Sequence, residues 1–376
     1  MGSEIIVVIV VATALIFDFT NGFHDTANVV ATSISTRAMP PRVAVTYAAI
    51  LNFVGAFISL EVAATVAKDV VQIEPSSVGL LAVFGGLVGA IAWNLITWYF
   101  GLPSSSSHAL IGGMVGAVFV AYGSDAVFFE EGIIGKVMVP AIVAPVLAFI
   151  VGGLAIVVLY RIVARLRPGP TTSGFRLGQV LSGGMLALAH GTNDAQKTMG
   201  VITLALVANG SISEETFHVP DWVVVSSATA IALGTYVGGW RIIKTMGSRI
   251  HKMDAAQGFA AQGAGSTVIL AASHVGFPLS TTHTISGAVI GSGAAKRLSA
   301  VRWGVAGNIV VAWILTLPAA ALIGGLTYLL ARAFGTGAVG PIVVSALIVA
   351  GTALLFIRRS HQGAAPGVVP ATEATR

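Results

Sequence analysis

Two stretches of this chain carry no formal charge over lengths no soluble helix pair would tolerate. Pro75 to Ser124 spans 50 residues and Ala255 to Ala295 spans 41. One bilayer crossing takes about 20 apolar residues, so each run holds two segments. Trp303 to Ala331 and Ala333 to Ile357 add uncharged runs of 29 and 25 residues. Only 9% of the residues are charged and 55% are hydrophobic, against about 25% charged in an ordinary soluble domain. That excludes a soluble enzyme, a disordered chain and a nucleic-acid binder, despite the net charge of +5. With no cysteine, disulfides, thiolate metal sites and cysteine nucleophiles are excluded as well. A polytopic membrane protein remains.

The pattern predicts eleven apolar segments: 4–35, 43–66, 78–100, 101–122, 137–161, 177–208, 222–240, 255–275, 276–295, 303–331 and 341–358. No water is available inside a bilayer, so each must be helical or shielded by neighbours. The N-terminus lacks the basic region of a cleavable signal. Five basic clusters hold 16 of the 20 Lys and Arg residues: Arg37/Arg42, Arg161/Arg165/Arg167/Arg176, Arg241/Lys244/Arg249/Lys252, Lys296/Arg297/Arg302 and Arg358/Arg359/Arg376. Between them lie acidic loops with Asp69/Glu74, Asp125/Glu130/Glu131 and Glu214/Glu215/Asp221. Basic loops stay inside, which predicts a plasma-membrane protein with a cytoplasmic C-terminus and an outside N-terminus.

The chain also repeats itself. Gly22-Phe23-His24-Asp25-Thr26-Ala27-Asn28 aligns with Gly191-Thr192-Asn193-Asp194-Ala195-Gln196-Lys197. Gly101-Leu102-Pro103-Ser104-Ser105-Ser106-Ser107-His108 aligns with Gly276-Phe277-Pro278-Leu279-Ser280-Thr281-Thr282-His283. Segment 4–35 runs outside to inside on the charge map, and its counterpart 177–208 runs the other way. The expected fold is therefore all-α, with two inverted-topology repeats, broken helices and re-entrant hairpins, an architecture that transporters use. The parts are a first repeat 1–162, a basic cytoplasmic linker 163–176, a second repeat 177–331, and a C-terminal helix with a disordered tail over 332–376. Gly22 and Gly191 are expected to permit the helix breaks. The tips Gly101–His108 and Gly276–His283 are either cytoplasmic loops or re-entrant turns. The lack of Lys and Arg in them favours re-entrant turns.

An intramembrane carboxylate is costly and signals function, more so when Asp25 and Asp194 occupy matched places. Beside unwound backbone, each can hold Na⁺ or a proton. Asp18 and Asn21 precede the first motif, and Asp18 has no acidic mate. Hydroxyls with free amides at a helix N-terminus form an anion site. Two such clusters facing each other, Ser105, Ser106 and Ser107 with Ser280, Thr281 and Thr282, can grip a tetrahedral oxyanion. Beside them, His108 and His283 either tune charge or pack. Lys197 lies about 18 Å of helix from Asn209, too deep to snorkel easily, and is expected to pair with an Asp or an anion.

In these four motifs the chain resembles the inorganic phosphate transporter (PiT) family, bacterial branch, over roughly Phe17–His361. Asn193-Asp194 matches that family's signature, whereas His24 stands where Asn is commoner. The resemblance implies a symporter importing phosphate, free or as metal–phosphate, with Na⁺ or H⁺ by alternating access. It implies Asp25 and Asp194 as cation ligands, joined by Asn193 and Asn21, and the six hydroxyl residues as phosphate ligands, joined by Asn28, Thr192 and Lys197. No cofactor, resident metal or catalytic residue is expected. The expected partners are phosphate, the coupling cation and membrane lipid, with a homodimer as the assembly to test. Where eukaryotic members carry glutamates, this chain has Asn52 and Gln262. The alternatives are a transporter of another oxyanion such as sulfate, and an intramembrane serine hydrolase using Ser105–Ser107 with His108.

Overall fold

The computed structural model describes residues 2–213 and 218–361, with side chains placed between residues 4 and 351. Glu214, Glu215, Arg376 and residues 362–376, the end of the stretch expected to hold the disordered tail, lie outside the described residues, as do the side chains of Arg358 and Arg359. Thirteen α-helices are described: α1 (Gly2–Ser35), α2 (Pro41–Gly55), α3 (Glu61–Lys68), α4 (Ser77–Phe100), α5 (Ser106–Tyr122), α6 (Val139–Val163), α7 (Pro168–Ala208), α8 (Asp221–Val237), α9 (Trp240–Lys244), α10 (Ala255–His274), α11 (Thr281–Lys296), α12 (Trp303–Arg332) and α13 (Val339–His361). Wider helical turns over Phe129–Met138 lead into α6. Among the described residues, four spans are long and apolar enough to cross a bilayer outright: Glu4–Ser35, Ser77–Phe100, Phe129–Val163 and Trp303–Arg332.

The sequence places the segments and misplaces the breaks. Both α1 and α7 run unbroken through their aspartates, so neither Gly22 nor Gly191 interrupts a helix. Instead each glycine lets another helix touch the backbone. A Cβ on Gly22 would stand 2.3 Å from the Ile231 carbonyl oxygen of α8, and one on Gly191 would stand 2.2 Å from that of Asn52 in α2. The breaks fall elsewhere. Segment 43–66 divides into α2 and α3, and α8 turns by 59° into α9 and the wider turns that follow it. Much of the expected linker is helical too, because Pro168 opens α7, where a fixed φ and a missing N–H cost nothing.

Packing is reciprocal between the halves. Helix α1 lies on α8 as α7 lies on α2, α5 lies on α12 as α11 lies on α6, and α4 meets α1 as α10 meets α7. The outer faces are apolar. Along α6, Ile142, Val146, Ile150, Leu154, Val158 and Ile162 are exposed at every fourth position, while Ala144, Ala148 and Ile156 turn inward. This ridge faces lipid.

Loops of like charge gather in two groups. At one end Arg176 donates to the Thr36 carbonyl at 3.1 Å, Gln179 bridges Thr36 and the Ala255 carbonyl, and Arg302 N donates to Ile250 O at 2.9 Å. Asp254 caps α10 there and takes hydrogen bonds from Tyr160 at 2.5 Å and Lys296 at 3.0 Å. At the other end Lys136 pairs with Asp69, and Gln72 N donates to Ala126 O at 2.9 Å.

Candidate functional site

The two Ser/Thr motifs fold as near-identical tips. Gly101, at φ 66°, and Gly276, at φ 76°, end α4 and α10 in the left-handed region that a side chain resists. A proline then holds the chain extended until the next helix starts. The first residue of each cluster becomes the cap of that helix. Ser105 Oγ accepts from His108 N at 3.1 Å, and Ser280 Oγ accepts from His283 N at 3.2 Å. The first-turn amides of Ser106, Ser107, Thr281 and Thr282 have no intrahelical acceptor by geometry, so both helix ends present donors. The tips abut: the His108 and His283 rings are 4.7 Å apart, edge to face. Trp313 of α12 clamps both, stacking on His283 at 4.0 Å and donating to Pro103 O at 3.1 Å. Pro145 explains the orientation of His283. Lacking an N–H, it leaves the Ala141 carbonyl without its helical donor, and His283 Nδ1 takes that acceptor at 3.3 Å.

Between the tips lie the aspartates. Ser106 donates to Asp25 Oδ1 at 3.2 Å and Thr282 reaches the same oxygen at 3.5 Å. Thr281 donates to Asp194 Oδ2 at 3.1 Å. Asn28 donates to Thr282 at 2.9 Å and to Thr281 at 3.4 Å. Lys197 pairs with Asp194 and donates to Ser107 at 2.6 Å and to Leu279 O at 2.9 Å. All thirteen residues expected to hold the ion or the phosphate are at most 2% exposed, so the cluster is sealed from solvent.

Not all of them meet. Thr192 points away, donating to Gly55 O and Leu188 O at 2.8 Å each, so it joins helices and touches neither aspartate. Asn193 holds the second tip, donating to Ser273 at 2.8 Å and Phe277 O at 3.3 Å. Asn21 is buried one turn from Asp25, with no partner for its Oδ1. Lys197 was expected on phosphate or an Asp, and takes the Asp.

Two histidines were missed as partners of the acids. His24 Nδ1 lies 2.6 Å from Asp25 Oδ1, its other nitrogen 3.1 Å from Thr97. His190 Nε2 lies 3.0 Å from Asp194 Oδ2 while Nδ1 meets Asn52 Oδ1 at 3.2 Å. Asn52 is itself fixed by donating to Thr235 at 2.8 Å. Gln262 sits further off, between Ser182 and Ser33. One signal pointed to His190: it stands four residues before Asp194, on the same helix face. Asp18 is also fully buried, with neither oxygen hydrogen-bonded. Asp18, Asn21, Asp25 and Asn28 follow one another at spacings of three and four, so α1 carries a single polar stripe about 15 Å long. Ligand atoms of Asp25, His190 and Asp194 lie within 4.8 Å of one another, close enough for oxygen and nitrogen to share a cation.

A buried cluster of acids and hydroxyls inside an apolar-faced helical bundle is the make-up of an α-helical membrane transport protein. The model of the phosphate transporter family matches residues 21–324. This chain belongs to that family. It is 51% identical over 353 residues to the probable low-affinity inorganic phosphate transporter of Mycobacterium leprae, covering 94% of this chain and 84% of the relative. It is 42% identical over 324 residues to the Bacillus subtilis protein of the same description, covering 86% and 96%. A solved structure described as the sodium-dependent phosphate transporter matches with a TM-score of 0.74 at 24% identity, over 86% of this chain and 98% of that one. At that identity the likeness speaks to the fold. Membership in a transporter family removes the serine-hydrolase alternative.

Proposed function

We propose that this chain imports orthophosphate with a cation, Na⁺ or H⁺, by alternating access, and that the substrate sits between the two hairpin tips. The observation that carries the reading is convergence. Two helix N-termini with hydroxyl clusters, taken from opposite halves of the chain, meet two buried aspartates in one polar cluster. Free amides and hydroxyls are the donors that an oxyanion needs.

The hydrogen bonds also suggest why transport is coupled. Ser106 and Thr282 donate to Asp25. Phosphate needs those donors for its own oxygens. Giving them up leaves Asp25 with the His24 ring alone, and a cation on the carboxylate would restore the compensation lost. Anion and cation therefore bind together. The reciprocal packing of the halves supports inverted repeats, and the segregation of basic and acidic loops supports a cytoplasmic C-terminus. The first repeat then ends near 162 and the second begins within α7.

Radiolabelled phosphate uptake into proteoliposomes, with Na⁺ and H⁺ gradients imposed separately, tests the reading. Concentrative uptake driven by one gradient is expected. Equilibration without concentration would mean a channel, and sulfate carried in preference to phosphate would mean a different oxyanion.

A further inference from the structure

Lys197 is the counterpart of Asn28, three residues after the aspartate in each motif. The two side chains behave differently. Asn28 spans to the hydroxyls of the second tip. Lys197 does not reach outward for a ligand at all. Its ammonium has three protons, and the structure gives it three oxygen acceptors: the Asp194 carboxylate, the Ser107 hydroxyl and the Leu279 carbonyl. All three protons are met within the protein. The residue is 1% exposed, so water does not share the task.

A carboxylate, a hydroxyl and a backbone carbonyl closing around one positive charge are all oxygen ligands of the kind Na⁺ takes, and transporters use such backbone carbonyls on Na⁺. Here the charge arrives on a four-carbon tether. Asp25 has no such partner. Its hydrogen-bonding neighbours are the His24 ring and hydroxyls, with His190 and Asp194 within 4.8 Å, and its counterpart to the lysine is a neutral amide. Of the two matched acids, one is permanently compensated and one is not.

We infer that the Lys197 ammonium is a resident cation that fills the second of two symmetry-matched cation positions, leaving only the Asp25 position to an exchangeable ion. The inference rests on the transport reading above. It makes Lys197 a determinant of how many ions accompany each phosphate, in place of the direct phosphate ligand the sequence suggested. A neutral residue there would vacate an oxygen-lined cavity beside an uncompensated Asp194, and a small cation from solution would be needed to fill it.

Counting sodium tests this directly. Wild type, Lys197→Asn and Lys197→Gln are purified in detergent, checked by thermal melting, and titrated with radioactive sodium, with and without phosphate. Each variant is expected to bind one more sodium per chain than the wild type, and its phosphate binding should acquire a sodium dependence that the wild type lacks at that position. Equal sodium counts in variants and wild type would overturn the inference. If neither variant folds, the wild type decides alone: two sodium ions per chain overturn the inference, and one or none supports it. Failure of the transport reading is distinguishable, because a wild type that binds no phosphate in the parallel titration sinks that reading while the sodium count still judges Lys197.

Discussion

His190 stands one helical turn before Asp194, its Nε2 3.0 Å from the carboxylate, while Asn52 of the other half holds its Nδ1. Asp194 is thus gripped from both sides, by His190 on one oxygen and Lys197 on the other. Asp25 is held by His24 and hydroxyls alone. The two acids match in sequence and differ in environment, and mutation should separate them.

Asp25→Asn and Asp194→Asn should each abolish most phosphate uptake. Their stabilities should diverge. Asp194→Asn strands a buried ammonium, which typically costs about 3–5 kcal/mol, whereas Asp25→Asn strands no fixed positive charge. Thermal melting in detergent beside proteoliposome uptake checks both. Wild-type transport by both variants would refute the cation role.

Ser106→Ala and Thr281→Ala remove donors that bound phosphate would use. A hydrogen bond to a charged group is worth about 1.5–3 kcal/mol, or about tenfold to a hundredfold in affinity. The apparent phosphate constant should rise by that order, and the double variant should lose most uptake. Unchanged constants would reduce the tips to structural turns.

Thr192→Val should behave oppositely. Its hydroxyl donates to Gly55 O across the α2–α7 contact. Loss of that bond should cost about 1 kcal/mol in stability with no change in the phosphate constant. A tenfold rise in that constant would restore Thr192 to the binding site.

Orientation is open to chemical labelling, since the native chain has no cysteine. Glu130→Cys and Lys252→Cys are both at exposed positions. The first should react with an impermeant thiol reagent from outside and the second only from inside. Reaction of both from one side would defeat the inverted-repeat arrangement.

Acid should weaken the basic end first. Burial, aided by Lys296 and opposed by Asp254, holds the His251 imidazole down at about 4. An unfolded histidine takes its proton near 6.5. Between those values the unfolded chain binds more protons, so stability falls as pH drops from about 6.5 to 4. The loss amounts to at most about 3 kcal/mol. Melting temperature against pH should show it, and His251→Gln should flatten that window. An unchanged pH profile in the variant would assign the acid sensitivity to other groups.

Much of this was legible in the sequence because membrane helices are long and their loops sort by charge. The paired motifs pick out residues that the fold brings together, because the same pattern is written twice. Other features were opaque. Gly22 reads as a helix breaker, yet its role is set by Ile231 of a helix two hundred residues away. Thr192 reads as a site residue because of its neighbours in sequence, but helix rotation turns it to α2. Asn52 carries no sign that it would orient His190. Contacts of that kind depend on which helix faces which, and periodicity leaves that undetermined.

The reciprocal packing has a consequence for biogenesis. When the first half of the chain has left the ribosome, α1 has no α8 to lie on and α5 has no α12. Asp25 and the serine tip are then in the bilayer before Asn28 has Thr282 to hold. A half-made protein of this kind holds polar groups that only its unmade half can satisfy. Insertion should therefore depend on helpers that shelter early helices until α12 is released, and separately expressed halves should be degraded unless both are made in the same cell.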